Sequence, residues 1–161
     1  MVSIMDEVLE LGMGHKVLEI GAGSGWHAAT IAEIVAPSDV PVGELGHVYT
    51  VEIVRELARF ARENIRRAGY GDRVTVICGD GSEGYTKEAP YDRVLVTAAA
   101  PEVPKPLTEQ LKNGGVLVIP VGGTYFFQRL LRIRKEDDRL SEENLMGVAF
   151  VPLTGKHGHR L

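Results

Sequence analysis

A chain of 161 residues is long enough for one domain with a real core and too short to suggest two, so residues 1–161 are expected to form a single domain. Hydrophobic residues make up 44% and charged residues 25%, as in ordinary soluble globular proteins, and the formal net charge of −4 argues against general nucleic-acid binding. The single cysteine, Cys78, excludes an internal disulfide and cannot by itself build a zinc site; no apolar run reaches the ~20 residues of a membrane span, and no positive region precedes an apolar stretch at the N-terminus, so no metal, no membrane and a cytoplasmic location are expected.

Met1 to Leu11 has apolar residues at helical spacing, ended by Gly12 and Gly14, with no capping residue before Met1. Lys16–Ile20 reads as the first strand and His27–Val35 as the first helix. A Pro/Gly-punctuated loop, Pro37 to Gly46, leads to the second strand, His47–Val51, closing on Glu52. From Val54 the positions Val54, Leu57, Ala58, Ala61, Ile65 and Ala68 follow a 3.6-residue period, and Gly69 suits the C′ position. Arg55, Arg59, Arg62, Arg66 and Arg67 are interleaved with Glu56 and Glu63, the pattern of a solvated helix face.

Arg73–Cys78 is the third strand, with Cys78 expected to pack as a small core residue. Tyr91–Thr97 is a near-continuous apolar run, consistent with a strand covered on both faces. A short helix is expected around Leu107–Lys112, stopped by Asn113-Gly114-Gly115, and Val116–Val121 is the fifth strand. Phe126–Arg134, a charged turn at Glu136–Arg139 and a strand near Met146–Val151 follow without an intervening helix. The sum is a doubly wound, Rossmann-like α/β sheet, mostly parallel, with a C-terminal antiparallel hairpin.

Chemistry concentrates in Val17-Leu18-Glu19-Ile20-Gly21-Ala22-Gly23-Ser24-Gly25-Trp26, a strand, a glycine turn and a helix start. A phosphate-binding P-loop needs Gly-Lys-Ser/Thr, but Gly25 is followed by Trp26 and His27. A dinucleotide fingerprint needs its third glycine where Trp26 stands, and Glu19 is unwelcome beside a pyrophosphate. S-adenosylmethionine, whose methionine end is cationic, fits better: the glycines allow close backbone approach and Glu19 favours the positive end. A bland turn closing a strand–helix unit is the alternative. Glu52 closes the second strand, where α/β sheets offer a carboxylate to ribose hydroxyls, and the Pro37–Gly46 loop accounts for its late position. Asp80, in Gly79-Asp80-Gly81, closes the third strand and is a candidate acceptor for the adenine amine. A surface acid is the simpler reading of either one; together they form one edge.

By Glu52 the chain resembles a class I methyltransferase. Ala89-Pro90-Tyr91-Asp92-Arg93-Val94-Leu95-Val96-Thr97-Ala98-Ala99-Ala100-Pro101, Gln110–Gly122 and Val148-Ala149-Phe150-Val151-Pro152-Leu153-Thr154 are similar to motifs of the protein-L-isoaspartate O-methyltransferases, in the same order. The resemblance implies methyl transfer from S-adenosylmethionine, leaving S-adenosylhomocysteine, to the α-carboxylate of isoaspartyl residues in damaged proteins or peptides, a repair reaction. It implies cofactor-binding roles for Glu19, Gly21, Gly23, Ser24, Gly25, Glu52, Ile53, Asp80, Gly81 and Thr154, with His159 a further neighbour of the adenosine. It also implies that Thr97-Ala98-Ala99 lines the substrate entrance, and that Ala149-Phe150-Val151 pairs with an extended peptide. An ionised carboxylate nucleophile needs no strong general base, so none of the five histidines is promoted to catalysis; His27 is read as helix packing.

The family's Gly-x-x-x-Ser-x-Pro-His loop, with its hydroxyl-bearing active-site residue, precedes the helix with which this chain starts. Ser3, placed in that helix, is not a replacement. A shortened sequence, a natural short homologue that binds cofactor but transfers methyl poorly or serves as an interaction module, and a lid supplied by another chain all remain open. So does a small-molecule methyltransferase on the same fold. Nothing in the sequence bears on oligomeric state.

Overall fold

The computed structural model describes residues 1–41, 45–124 and 126–160. Of the expected Pro37–Gly46 loop, residues 42–44 lie outside the described residues. The order of elements is α1 (Val2–Val8), β1 (Lys16–Ile20), α2 (Trp26–Val35), β2 (His47–Glu52), α3 (Arg55–Arg67), β3 (Val74–Cys78), β4 (Tyr91–Val96), α4 (Lys105–Glu109), β5 (Leu111–Val121), β6 (Gln128–Glu136) and β7 (Arg139–Val148). The seven strands form one sheet in the order β3-β2-β1-β4-β5-β6-β7. Pairing is parallel from β3 to β5 and antiparallel from β5 to β7, which is the expected parallel sheet with its hairpin.

Strand order reverses between β1 and β4, and a doubly wound sheet opens a crevice at that point, beyond the carboxyl ends of the strands. The sheet is held by a core on each face. Val17, Val48, Leu95 and Val118 pack on one side with Ile31 and Val35 of α2 and Ala58, Ala61 and Ile65 of α3. Leu18, Ile20, Val94, Val96, Leu117 and Ile119 pack on the other with Leu107 of α4. Alternate residues of β4 reach opposite cores, which explains why its sequence lacks polar alternation. Where the chain reads Glu19 instead of an apolar residue, it places a carboxylate on the same face as Val17, under α2.

Several boundaries differ from the sequence-based expectation. The short helix runs Lys105–Glu109, earlier than Leu107–Lys112, because Pro104 and Pro106 preset the dihedrals of its first turn. Asn113-Gly114-Gly115 does not interrupt structure before β5 but lies within it as an irregularity: Tyr91 pairs with Leu111 and Arg93 with Val116, so the extra residues loop out of register. The hairpin turns at Asp137 and Asp138, both at positive φ (49° and 60°), and β7 ends at Val148 instead of continuing to Val151. Cys78 is exposed, not core: it is the last residue of β3, an edge strand, beyond the buried Val74 and Val76 of the same face. On α3 the arginine face is solvated, with Arg66 and Arg67 paired to Glu63 at 2.8 and 2.9 Å. No helix among the described residues is long and apolar enough to cross a membrane.

Candidate active site

The glycine turn begins where β1 ends, and its shape is dictated by contacts from β4 and β2. Gly21 has φ 98°, and a Cβ there would overlap the hydroxyl of Thr97. That hydroxyl donates to the carbonyls of Ile20 (3.0 Å) and Gly21 (2.9 Å), so Thr97 ties the turn to the end of β4. Gly23, at φ 52°, has nothing within 4 Å of where a Cβ would be, leaving its surface open to a ligand. Gly25 is the left-handed N-cap of α2, and the Ser24 hydroxyl faces the Trp26 amide at 3.4 Å.

Glu52 fixes the turn from the neighbouring strand. One carboxylate oxygen accepts from the Gly23 N–H at 3.1 Å and the other from the Val54 N–H at 3.0 Å, with only 7% of the residue exposed. Each oxygen has a second lone pair, so the carboxylate can hold the turn and still accept from two vicinal hydroxyls. Beside it lies a cavity of about 340 Å³, lined by Gly21, Gly23, Glu52, Ile53, Gly81 and Thr97 and closed by Ala98 and Val151–Thr154. That volume falls within the range of small-molecule sites, about 300–1,000 Å³. Its wall also includes Val54 and Leu57, which helical spacing assigns to the buried stripe of α3. They are 43% and 40% exposed; the true packing stripe is Ala58, Ala61 and Ile65. The available signal was size, because small residues sit where helix meets sheet and large ones in the first turn.

A second cavity of about 280 Å³ adjoins the first through Gly21, Gly23 and Thr97. It lies between α1 and the glycine turn, with Met1, Met5, Trp26, His27 and Phe150 in its wall. Phe150 thus faces one cavity and Val151 the other, as alternation along an extended segment requires. That segment continues from β7 past β4: the Ala99 N–H donates to the Val151 carbonyl and the Leu153 N–H to the Ala99 carbonyl, both at 2.8 Å. Ala99 is fully buried and offers this backbone pairing instead of entrance surface; Thr97 and Ala98 do reach the cavity.

Two expected ligand contacts are placed differently. Glu19 is fully buried beneath the turn and forms no part of either cavity wall. Its register partner Thr50 donates to one carboxylate oxygen at 2.6 Å; the other oxygen has no hydrogen-bond partner among the described residues and lies 3.9 Å from His27 Nδ1. His27 Nε2 in turn meets Asp6 of α1 at 2.7 Å, which makes the histidine a packing link between α1, α2 and β1. Burial pushes the Glu19 carboxyl from its ordinary 4.5 up to about 7, with His27 and Thr50 offsetting part of the rise. Glu19 therefore ties β1 to Thr50 of β2 and lies beside His27 of α2, behind the turn.

Asp80 turns away from the cofactor-sized cavity into a separate cleft of about 760 Å³ that also includes Glu83, Glu109 and His157. One of its oxygens accepts from the Ser82 N–H (2.9 Å) and hydroxyl (2.6 Å), the other from the Lys156 N–H (2.8 Å). Burial works against its ionisation, but these hydrogen bonds prevail and hold the carboxyl below its usual range. With three donors on four lone pairs, Asp80 is a cap and a strut for the C-terminal segment; its neighbour Gly81 is the member of the pair that lines the 340 Å³ cavity. Thr154 lines the cavity, whereas His159 does not; its amide donates to the Leu153 carbonyl at 2.8 Å and its Nε2 is buried without a partner among the described residues.

A parallel sheet with a reversed strand order, an open glycine turn at the reversal, a carboxylate at the end of the second strand and a C-terminal hairpin define the Rossmann-like methyltransferase class. A solved structure from Plasmodium falciparum, put forward as a protein-L-isoaspartate O-methyltransferase and in complex with S-adenosyl-L-homocysteine, matches 95% of this chain and 71% of its own with a TM-score of 0.78 at 26% identity. The chain belongs to the protein-L-isoaspartate O-methyltransferase family: the family model described as protein-L-isoaspartate(D-aspartate) O-methyltransferase (PCMT) matches residues 1–158. A Hyperthermus butylicus protein-L-isoaspartate O-methyltransferase is 54% identical over 160 residues, which are 99% of this chain and 66% of that relative. A solved protein-L-isoaspartate O-methyltransferase superposes with a TM-score of 0.86 at 32% identity over 98% of this chain and 47% of its own. The chain thus spans about two thirds of the curated relative and under half of the solved one.

Proposed function

We propose that residues 1–161 act as one domain that binds S-adenosylmethionine in the cavity at the strand reversal and directs its methyl group to the α-carboxylate of L-isoaspartyl residues in proteins or peptides. The observation that carries this reading is Glu52. Its carboxylate holds the glycine turn by the Gly23 amide and keeps lone pairs free at the rim of a 340 Å³ cavity with apolar walls. Ribose hydroxyls fit those lone pairs, Ile53, Leu57 and Leu153 suit a flat base, and the open surface of Gly23 admits the methionine end.

When bound, the cofactor supplies a methyl group on a sulfonium, whose sulfur leaves with the C–S electron pair as the neutral thioether of S-adenosylhomocysteine. The attacking group is a substrate carboxylate that is already ionised at neutral pH, so no residue has to remove a proton. The chain's part is to place and to dry. Thr97 and Gly21 set the position of the turn, and Phe150 and Trp26 form the wall from which water would be displaced. Ala149–Val151 is the segment on which an extended peptide would lie. Cytoplasmic residence is part of the proposal, consistent with one unpaired cysteine, and cell fractionation checks it.

Calorimetry with S-adenosylhomocysteine, followed by labelled methyl transfer to an isoaspartyl peptide and its aspartyl counterpart, tests the proposal. Binding with transfer to the isoaspartyl peptide alone is the expected result. Binding without transfer would leave a cofactor-binding module, transfer to small carboxylates alone a small-molecule enzyme, and no binding would overturn the reading altogether.

A further inference from the structure

The Gln128 side chain is 3% exposed and is not part of either cavity. It stands at the first position of β6, in register with Val148, the last residue of β7. Beyond Val148 the two strands no longer pair, yet the next-but-one residue is held as if they did. The Phe150 N–H donates to Gln128 Oε1 at 2.6 Å, and Gln128 Nε2 donates to the Phe150 carbonyl at 3.0 Å. The same Nε2 donates to the Gly123 carbonyl at 3.0 Å, drawing in the loop between β5 and β6. A carboxamide offers an acceptor and a donor side by side at any pH, which is what a neighbouring strand presents to a single residue.

We infer that Gln128 is a positioning residue for the peptide: its carboxamide replaces a strand partner for Phe150 and so sets the segment that receives substrate. The inference rests on the proposed function and deepens it. In an extended segment, the backbone groups of alternate residues point to opposite sides. With Phe150 turned toward Gln128, the N–H and C=O of Ala149 and the N–H of Val151 point the other way, and among the described residues none of the three has a partner. Those three groups are the edge left for a peptide backbone; Phe150's own are spent. The Val151 carbonyl and the Leu153 N–H are tied separately to Ala99, so the wall of the cofactor-sized cavity does not depend on Gln128. Gln128 thus governs peptide affinity apart from cofactor affinity.

Gln128→Met keeps the length of the side chain and removes both polar atoms. Its expected effect is an isoaspartyl-peptide KM raised by about tenfold or more, with kcat and the Kd for S-adenosylhomocysteine each within about threefold, since only the ordering of the segment is lost. A rise of KM and Kd together, the mark of general loosening, overturns the inference, as does an unchanged KM. Amide hydrogen exchange supplies a readout independent of activity and of the variant. In the wild-type chain the Phe150 amide should exchange about tenfold or more slowly than those of Ala149 and Val151; equal rates overturn the clamp. If wild-type protein binds S-adenosylhomocysteine but neither binds nor methylates the peptide, the substrate reading fails and takes the peptide role of Gln128 with it. The exchange pattern then decides whether the clamp itself stands.

Discussion

The two halves of the site are built in opposite ways. On the side proposed for the cofactor, each part is fixed: Glu52 by two backbone amides, Gly21 by the Thr97 hydroxyl, Glu19 by burial beneath the turn. On the side proposed for the peptide the surface is open. Val151 is 70% exposed, Phe126 and Phe127 are 75% and 96% exposed, and among the described residues Gln128 is the side chain that hydrogen-bonds the backbone of Phe150. The contrast is one of chemical demand. A small cofactor with defined hydroxyls and one reactive carbon requires a preorganised pocket, whereas peptides of varied sequence share only their backbone and require an edge. Substitutions on the first side should therefore be costly and affect folding and cofactor binding together. Those on the second should be mild and affect peptide alone.

The sharpest break of this contrast is Glu52→Ala. It removes the acceptors for Gly23 and Val54 together with the proposed ribose contact, so the Kd for S-adenosylhomocysteine should rise by about a hundredfold, or ~3 kcal/mol. Calorimetry on the folded variant reads this directly, and a rise below about fivefold would mean that the cofactor lies elsewhere. Glu19→Gln should act in the other direction, with a pH signature. Below pH 4.5 both the native and the unfolded chain hold the Glu19 proton and no difference arises. Between 4.5 and about 7 the unfolded chain ionises while the native chain keeps its proton, so native stability falls as pH rises. Above about 7 the loss levels off at ~3 kcal/mol. Glutamine does not titrate, so the variant's advantage in urea unfolding should be small at pH 4.5 and reach up to ~3 kcal/mol by pH 8. An advantage independent of pH would show that ionising the buried Glu19 is not what lowers native stability.

The asymmetry also explains what could be read from the sequence. The strands, the parallel run and the antiparallel hairpin follow from periodicity and from the absence of a helix after Val121, because whole segments share the cost of burial and leave a pattern, whereas the order β3-β2-β1-β4-β5-β6-β7 comes from the structure. Glu52 was legible for the same reason, as an acid where an apolar strand stops. Glu19 and Asp80 were legible as acids at strand ends but not in their orientation. Period two puts Glu19 with Val17 under α2, and only the packing of His27, Asp6 and Thr50 around it settles that it is buried behind the turn. Asp80 is diverted by Ser82 and by the Lys156 amide 76 residues away. Gln128 left no trace at all. A single glutamine opening a strand is unremarkable until the chain returns at Phe150, and such long-range pairing has no local signature.

A smaller loss is expected at the point where the halves meet. Gly21→Ala places a methyl group against the Thr97 hydroxyl at φ 98°, which should cost ~2 kcal/mol of stability and weaken cofactor binding as well. Thr97→Ala in the same chain opens the space, and the double variant should recover part of the lost stability. Simple additivity in urea unfolding would show that backbone strain, not the hydroxyl, is the whole of the penalty.

The least disruptive change tests the open half. Phe127 stands just before the Gln128 clamp with its ring almost wholly in solvent, so folding gains little from it. An exposed aromatic pair of this kind has its physical rationale in what it covers when a partner arrives. Phe127→Ser should leave unfolding free energy within ~0.5 kcal/mol of wild type. The Kd for S-adenosylhomocysteine should stay within about twofold, while the isoaspartyl-peptide KM rises by about threefold as one apolar contact is lost. Each readout discriminates. A fall in melting temperature of several degrees would place Phe127 in the folded core of the site, and a change in cofactor Kd would join the two halves into one. A peptide KM that does not move would assign the aromatic pair to some other surface and leave the backbone edge at Ala149 and Val151 as the whole of the peptide's hold on this face.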